Sequence, residues 1–418
     1  MQSSRQARAA QILTPLQTLV LVVAGEPIGI PGGQDQTYPF VAHPHYYWLS
    51  GLRRAGGVLA FDPDEGWTDF RVPISQAERV WEGADGEAGG LDIADLPAWL
   101  DNRGGRPLSV IGASHPKFSG DELLSQRVCR EIQHLRRPKD AGEVALVTRA
   151  IEASARGYAR VPEWIQPGIS EREIAIRLEA EFFLGGADCP GYGTIVGSGA
   201  NSAVLHWPAS GRRMAAGELV LIDAGGSLDG YTADVTRVYP VDGQWSERQR
   251  DLHTILLQAQ INALEGCQVG VEWGDLHVRT ATELAEGLRQ LGVLRCSAQE
   301  AVERETIALF FPHGLGHMLG LGVRDASGLA PGRSEARTFA GARIRMDLPL
   351  EADYLVTVEP GLYFIPALLN DPEKRSKHQD QVNWESLDPW IELGGMRIED
   401  NVLVTPQGPR NLTAAIPK

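Results

Sequence analysis

Two aspartates embedded in β-rich runs constrain this chain more than any other feature. Val220-Leu-Ile-Asp223 and Asp234-Val-Thr-Arg-Val238 read as strands joined by a glycine-rich turn between Gly225 and Gly230. Strands usually avoid Asp. Antiparallel pairing of the two runs would place the carboxylates across from one another on one face. Ionised acids so placed repel, and burial makes the penalty worse. A cation between them removes the difficulty, but so would a turn position for one Asp and a solvated position for the other. The rest of the chain has to decide.

Three later stretches do so. His313-Gly-Leu-Gly-His317 sets two imidazoles four apart with glycines that let backbone approach closely. Val356-Thr-Val-Glu359-Pro-Gly holds an acid in an apolar strand that Pro-Gly stops, and Arg397-Ile-Glu399-Asp-Asn-Val-Leu-Val404 repeats the theme. Each alone has a plain explanation: a packed core histidine, or an edge glutamate facing water. Together, four acids in apolar strands and an imidazole make a ligand set for a pair of hard-to-borderline divalent cations. Two dications cancel four carboxylates; without them the core would hold charges that burial does not permit.

In this order, Asp223, Asp234, the His-Gly-Leu-Gly-His box, the Val-Glu-Pro-Gly strand and the Arg-Ile-Glu-Asp-Asn strand resemble the pita-bread metallopeptidases. That superfamily includes methionine aminopeptidase, Xaa-Pro aminopeptidase, prolidase and creatinase, and the chain looks most like prolidase, the Xaa-Pro dipeptidase. The resemblance implies an α+β fold with a C-terminal pita-bread catalytic domain over 138–418. A smaller α/β, creatinase-N-like domain over 1–137 would precede it. It implies two divalent metal ions, Mn2+ preferred on ligand hardness and Zn2+ or Co2+ also compatible. Asp223 would chelate one ion, Asp234 and Glu399 would bridge both, and His317 and Glu359 would complete the other. Glu359 would also carry the proton to the leaving nitrogen, and His206 would stabilise the reacting peptide. Around these, Arg397, His313 and Tyr231 would support the ligands, and Tyr192 would line the pocket. The implied substrate is an Xaa-Pro dipeptide. The alternatives are an Xaa-Pro aminopeptidase acting on longer peptides and a non-catalytic peptide-binding protein. Side activity on organophosphate esters is compatible with the same residues.

The chain departs from the family at one position. Seven residues after His317, where prolidases and Xaa-Pro aminopeptidases usually carry histidine, stands Arg324. Either it replaces the substrate contact with a permanent cation, or it turns outward and the contact is lost. Arg345 matches an arginine that prolidases use for the substrate carboxylate, whereas its neighbour Arg343 reads as a surface charge. The long segment from Phe364 to Gly395 would roof the site, as in prolidases.

Arg136-Arg-Pro-Lys-Asp140 marks the expected domain boundary. Val144, Val147, Ile151, Ala155 and Tyr158 then recur at helical spacing, and Ser170 with Glu173 forms a capping-box start for a second helix. Tyr192 to His206 reads as strand, 246–266 and 273–291 as helices, and the charge-dense stretch Asp371–Asp380 as a solvated loop. In the first domain, Asp35-Gln-Thr-Tyr-Pro-Phe40 and His43-Pro-His-Tyr-Tyr-Trp48 read as a rigid, ring-lined loop, either core filler or a pocket wall. The resemblance extends to this loop and implies a homodimer in which it closes the partner's pocket, with Asp35 meeting the substrate ammonium. Net charge of −15 argues against nucleic-acid or anionic-membrane partners. Four scattered cysteines without C-x-x-C, and no segment of spanning length, point to the cytoplasm.

Overall fold

The computed structural model describes residues 2–83, 89–115, 117–333 and 335–418. They form an α+β chain divided into two compact units, Met1–Arg136 and Arg137–Lys418. In the first unit, a helix over Gln2–Leu13 leads into Leu19–Val23, the strand second from one edge of a five-stranded sheet. This strand is antiparallel to Val58–Asp62 and parallel to Leu108–Gly112. All five of its residues are buried, as a continuous aliphatic run with both faces covered should be. The ring-rich stretch is not a loop throughout. Pro44–Ser50 is a helix, started by Pro44 in its first turn and by the His43 ring accepting from the His45 N–H. It buries Tyr46, Trp48 and Leu49 as core, while residues 34–39 stay exposed.

The second unit is built around a three-stranded antiparallel sheet with Leu219–Ala224 at its centre, flanked by Ile195–Ser198 and Val235–Pro240. The central strand is apolar on both sides because helices cover both. Leu219 and Leu221 pack with Leu252, Leu256, Leu284 and Leu288 from the helices Glu247–Glu265 and Trp273–Gln290. Val220 and Ile222 pack with Ile174, Leu178 and Phe182 of the helix Glu171–Leu184. Ser170 and Glu173 close the expected capping box on that helix. A second sheet pairs Leu355–Val358 with Asp400–Thr405, and Asp400–Thr405 with Gly408–Asn411. Bridges at Thr236 to Glu399 and Met318 to Val356 tie the aspartate hairpin and the histidine loop to these strands.

Two expected elements change on inspection. Tyr192–His206 is strand only over Ile195–Ser198; Gly199, at φ +52°, turns the chain into a 3-10 helix over Gly199–Ala203. Within Asp371–Asp380 lies a helix over Pro372–Lys377, because the Asp371 carboxylate accepts from the Glu373 and Lys374 N–H groups and Pro372 presets the first turn.

Candidate metal centre

Asp223 is paired in register with Thr236, not with Asp234. The two aspartates therefore stand diagonally, two register positions apart, rather than directly opposite. The connection between the strands is itself a hairpin closed at Asp229-Gly230, both at positive φ. Gly225 is obligatory in it, since a Cβ there would lie 1.9 Å from the Ala233 carbonyl oxygen. Both carboxylates are buried, and the Tyr192 hydroxyl reaches Oδ1 of each at 2.6 Å. A phenol has one proton and cannot donate to two ionised acids at once.

The other side chains arrive from three separate segments. Glu399 is brought in by its N–H donating to the Thr236 carbonyl, and its Oε2 accepts from the Thr236 hydroxyl at 2.6 Å. His317 lies on a loop laid against the strand Leu355–Val358: its N–H bonds to Thr357 Oγ1, and its carbonyl accepts from the Thr357 N–H. Gly316 permits this approach, because any Cβ would sit 2.1 Å from the Thr357 carbonyl oxygen. With Nδ1–H directed at the Met318 carbonyl, Nε2 faces the acids, 3.4 Å from Asp234 Oδ2 and 3.6 Å from Glu359 Oε1. Ligand atoms of Asp234, His317 and Glu399 all lie within 4.8 Å of one another. Glu359 joins them through His317, and Asp223 through Tyr192.

One guanidinium stands among these four carboxylates. Arg397 donates to Asp223 Oδ2 at 2.5 Å, to the Tyr363 hydroxyl at 2.7 Å and to the Thr236 hydroxyl, and lies 4.0 Å from Glu399. It does not compensate all four. Burial pushes Asp223 up despite Arg397, with Asp234 adding repulsion. Glu399 is lifted well above the carboxylate range by burial and by Asp234 and Glu359. Burial raises Glu359 to about 7 against the opposing charges of His317 and Arg397. At neutral pH such a cluster holds protons or cations.

The acids open into a cavity of about 680 Å³ whose lining includes Tyr192, His206, His313, His317, Arg324, Arg343, Arg345 and Arg397. Burial, with Arg324 and Arg397, holds the His206 imidazole below its ordinary pKa. His313 is pressed down to about 3 by burial and Arg397; its Nδ1 is 2.8 Å from the Gly314 carbonyl and its Nε2 is 3.0 Å from the Tyr363 hydroxyl. One expected member lies elsewhere. The Tyr231 hydroxyl donates to Glu143 at 3.0 Å, because its position next to the turn directs it to the helix Ala141–Tyr158. Asp35, expected at a partner's pocket, is on exposed chain of the first unit.

Residues 145–406 match metallopeptidase family M24. The chain belongs to that family. Curated M24 relatives include a probable Xaa-Pro aminopeptidase of Podospora anserina, 30% identical over 96% of this chain and 91% of its own length. A second, from Fusarium vanettenii, is 31% identical over 91% and 86%. Among solved structures, the aminopeptidase PepP of Pseudomonas aeruginosa superposes with a TM-score of 0.80 at 27% identity. A zinc-substituted aminopeptidase P of E. coli in complex with product does so at 0.81 and 25%. Each alignment covers the whole of this chain and 96% of the other.

The M24 assignment and the donor set agree. Oxygen-rich ligands, a neutral-capable imidazole and too little positive charge fit divalent cations. Sequence reasoning passed over two participants, Tyr363 and Thr236. Both carried a signal: Thr236 shares a face with Asp234 at the two-residue period, and Tyr363 closes the Val-Glu-Pro-Gly-Leu-Tyr run.

Proposed function

We propose that this M24 metallopeptidase is an Xaa-Pro aminopeptidase, removing the N-terminal residue from peptides whose second residue is proline. The observation that carries it is the gathering of Asp234, His317 and Glu399, with Asp223 and Glu359, at the floor of a substrate-sized cavity. Curated relatives matched along nearly the full chain are named for that activity, which favours longer peptides over the dipeptidase reading.

Asp223, Asp234, His317, Glu359 and Glu399 would hold two divalent cations, Mn2+ by ligand hardness. When bound, these supply Lewis-acid polarisation of the scissile carbonyl and a nucleophile at neutral pH. The chain's own groups do the rest. Glu359, which lines the cavity beside His317, is placed to take a proton and return it to the leaving imino nitrogen. His206, kept uncharged, donates an N–H to the carbonyl oxygen as negative charge develops there. Arg397, Thr236 and Tyr363 fix the carboxylates in place. Leu205, Pro312 and Val323 give the wall apolar surface for a rigid pyrrolidine ring.

The test is hydrolysis of Ala-Pro-Ala-Ala, Ala-Pro and Ala-Ala-Ala-Ala by Mn2+-loaded protein, read by chromatography of released alanine. Only proline-containing peptides should be cut, the tetrapeptide at least as fast as the dipeptide. Faster cleavage of Ala-Pro restores the dipeptidase; no cleavage of any leaves a peptide-binding protein. We also propose a homodimer, supported by the exposed apolar residues Ile28, Tyr38 and Val41 along the loop that precedes Pro44.

A further inference from the structure

We propose that Glu171 is a positioning residue for the reaction: buried beneath the turn that carries His206, its carboxylate sets where that imidazole stands. This rests on the peptidase reading and on the part given there to His206, and deepens both. Glu171 is fully buried and stands outside the cavity lining. It opens the helix Glu171–Leu184, whose residues Ile174, Leu178 and Phe182 pack against the central strand. Six donors converge on its carboxylate, three on each oxygen. Oε1 accepts from the Ser198 N–H and hydroxyl, at 2.9 and 2.8 Å, and from the Asn201 side-chain amide at 2.9 Å. Oε2 accepts from the Trp207 indole at 2.9 Å and from the Ser210 N–H and hydroxyl, at 3.3 and 2.5 Å.

The donors bracket His206. Ser198 and Asn201 precede it, and Trp207 and Ser210 follow it, so one carboxylate ties both arms of the turn to one helix end. Leu205, His206 and Pro208, between those arms, line the cavity. Among the described residues the His206 ring has no hydrogen bond of its own, so the placement of its backbone decides where the ring can reach. Burial pulls the Glu171 carboxyl upward, but Ser210, Asn201, Ser198 and Trp207 outweigh it and hold it below the ordinary carboxylate range. Arg212, whose guanidinium reaches Ser198 Oγ at 2.6 Å and Glu218 at 2.8 Å, adds a nearby positive charge. A buried carboxylate is a poor device for stability alone, since desolvation offsets much of what its partners contribute. What a fully satisfied set of directed donors confers is a single defined geometry.

The position is specific for an acceptor-only group. Glutamine has the same length, but its NH2 would face one trio of donors, and each trio contains a backbone N–H that cannot turn away. The arm left unpaired would shift and carry His206 off its line to the carbonyl oxygen. The expected metal ligands lie on other segments, so cation binding should persist.

The experiment measures kcat and KM on Ala-Pro-Ala-Ala for Mn2+-loaded Glu171→Gln, Trp207→Phe and His206→Ala enzyme, and for each of the first two combined with His206→Ala. Glu171→Gln should lose kcat about 100-fold, the cost of a displaced catalytic group, with KM and Mn2+ affinity near those of the wild type. Trp207→Phe, which removes one donor and keeps an aromatic ring, should show the same pattern more weakly. In the His206→Ala background neither change should lower kcat further, because the group being positioned is gone. A loss of the same size with and without His206 marks a merely structural residue and overturns the proposal, as does wild-type kcat in Glu171→Gln. Should Glu171→Gln fail to fold, Trp207→Phe carries the same cycle. If the wild-type protein cuts no peptide, the peptidase reading fails, and amide hydrogen exchange over 198–210 still decides whether Glu171 fixes this turn. Faster exchange in Trp207→Phe than in the wild type supports that, and unchanged exchange overturns it.

Discussion

Tyr363 and Thr236 are buried behind the cavity lining, and each holds a charged group of that lining at a defined angle. Tyr363 accepts from Arg397 and lies in hydrogen-bond contact with His313, and Thr236 bonds both Arg397 and Glu399. Removing either hydroxyl, as Tyr363→Phe or Thr236→Val, should lower metal affinity or kcat about 10–100-fold, as measured by metal titration and steady-state kinetics. Asp234→Asn removes an acid at the centre of the cluster and should abolish turnover together with stoichiometric metal uptake. The protonation of Glu359 gives a further expectation with a definite sign. Its folded-state pKa of about 7 exceeds its ordinary 4.5. Metal-free folded protein therefore keeps a proton that the unfolded chain has already released in that window, so its stability falls as pH rises through it. Cations replace the proton. The rise in Tm on adding Mn2+ to EDTA-treated protein should accordingly grow from about pH 5 to about pH 8, as scanning calorimetry would show.

At the scale of elements, the aspartate hairpin and the histidine loop are defined by backbone packed where no side chain fits. Gly225→Ala would force the strand off the Ala233 carbonyl, with a loss of about 1–3 kcal/mol in denaturant unfolding and a displaced Asp223. Lys139→Met removes the buried ammonium 3.1 Å from the Asp325 carboxylate and should cost about 3–5 kcal/mol. The strands bearing the acids were legible because apolar runs with one intruding carboxylate are rare, and the helix Glu171–Leu184 was legible from its capping box. What stayed hidden is three-dimensional. Register decided that Asp223 faces Thr236, and one-dimensional spacing carries no register. The family resemblance made Tyr231 a ligand support, but the tight turn sends its hydroxyl to Glu143. Ring content masked the helix Pro44–Ser50, whose start depends on a histidine cap that composition does not reveal.

For the whole molecule, oligomeric state is the open expectation. Ile28→Ser, Tyr38→Ser and Val41→Ser in combination should convert a dimer to a monomer in light scattering; a wild-type protein already monomeric removes the proposal. The four carboxylates come from widely separated stretches, the first at Asp223 and the last at Glu399, stitched by the Thr236 to Glu399 bridge. A ribosome therefore displays the early aspartates long before their final companion emerges. A chain cut short before Glu399 loses the partner that Thr236 holds, so limited proteolysis should digest it faster than the full chain.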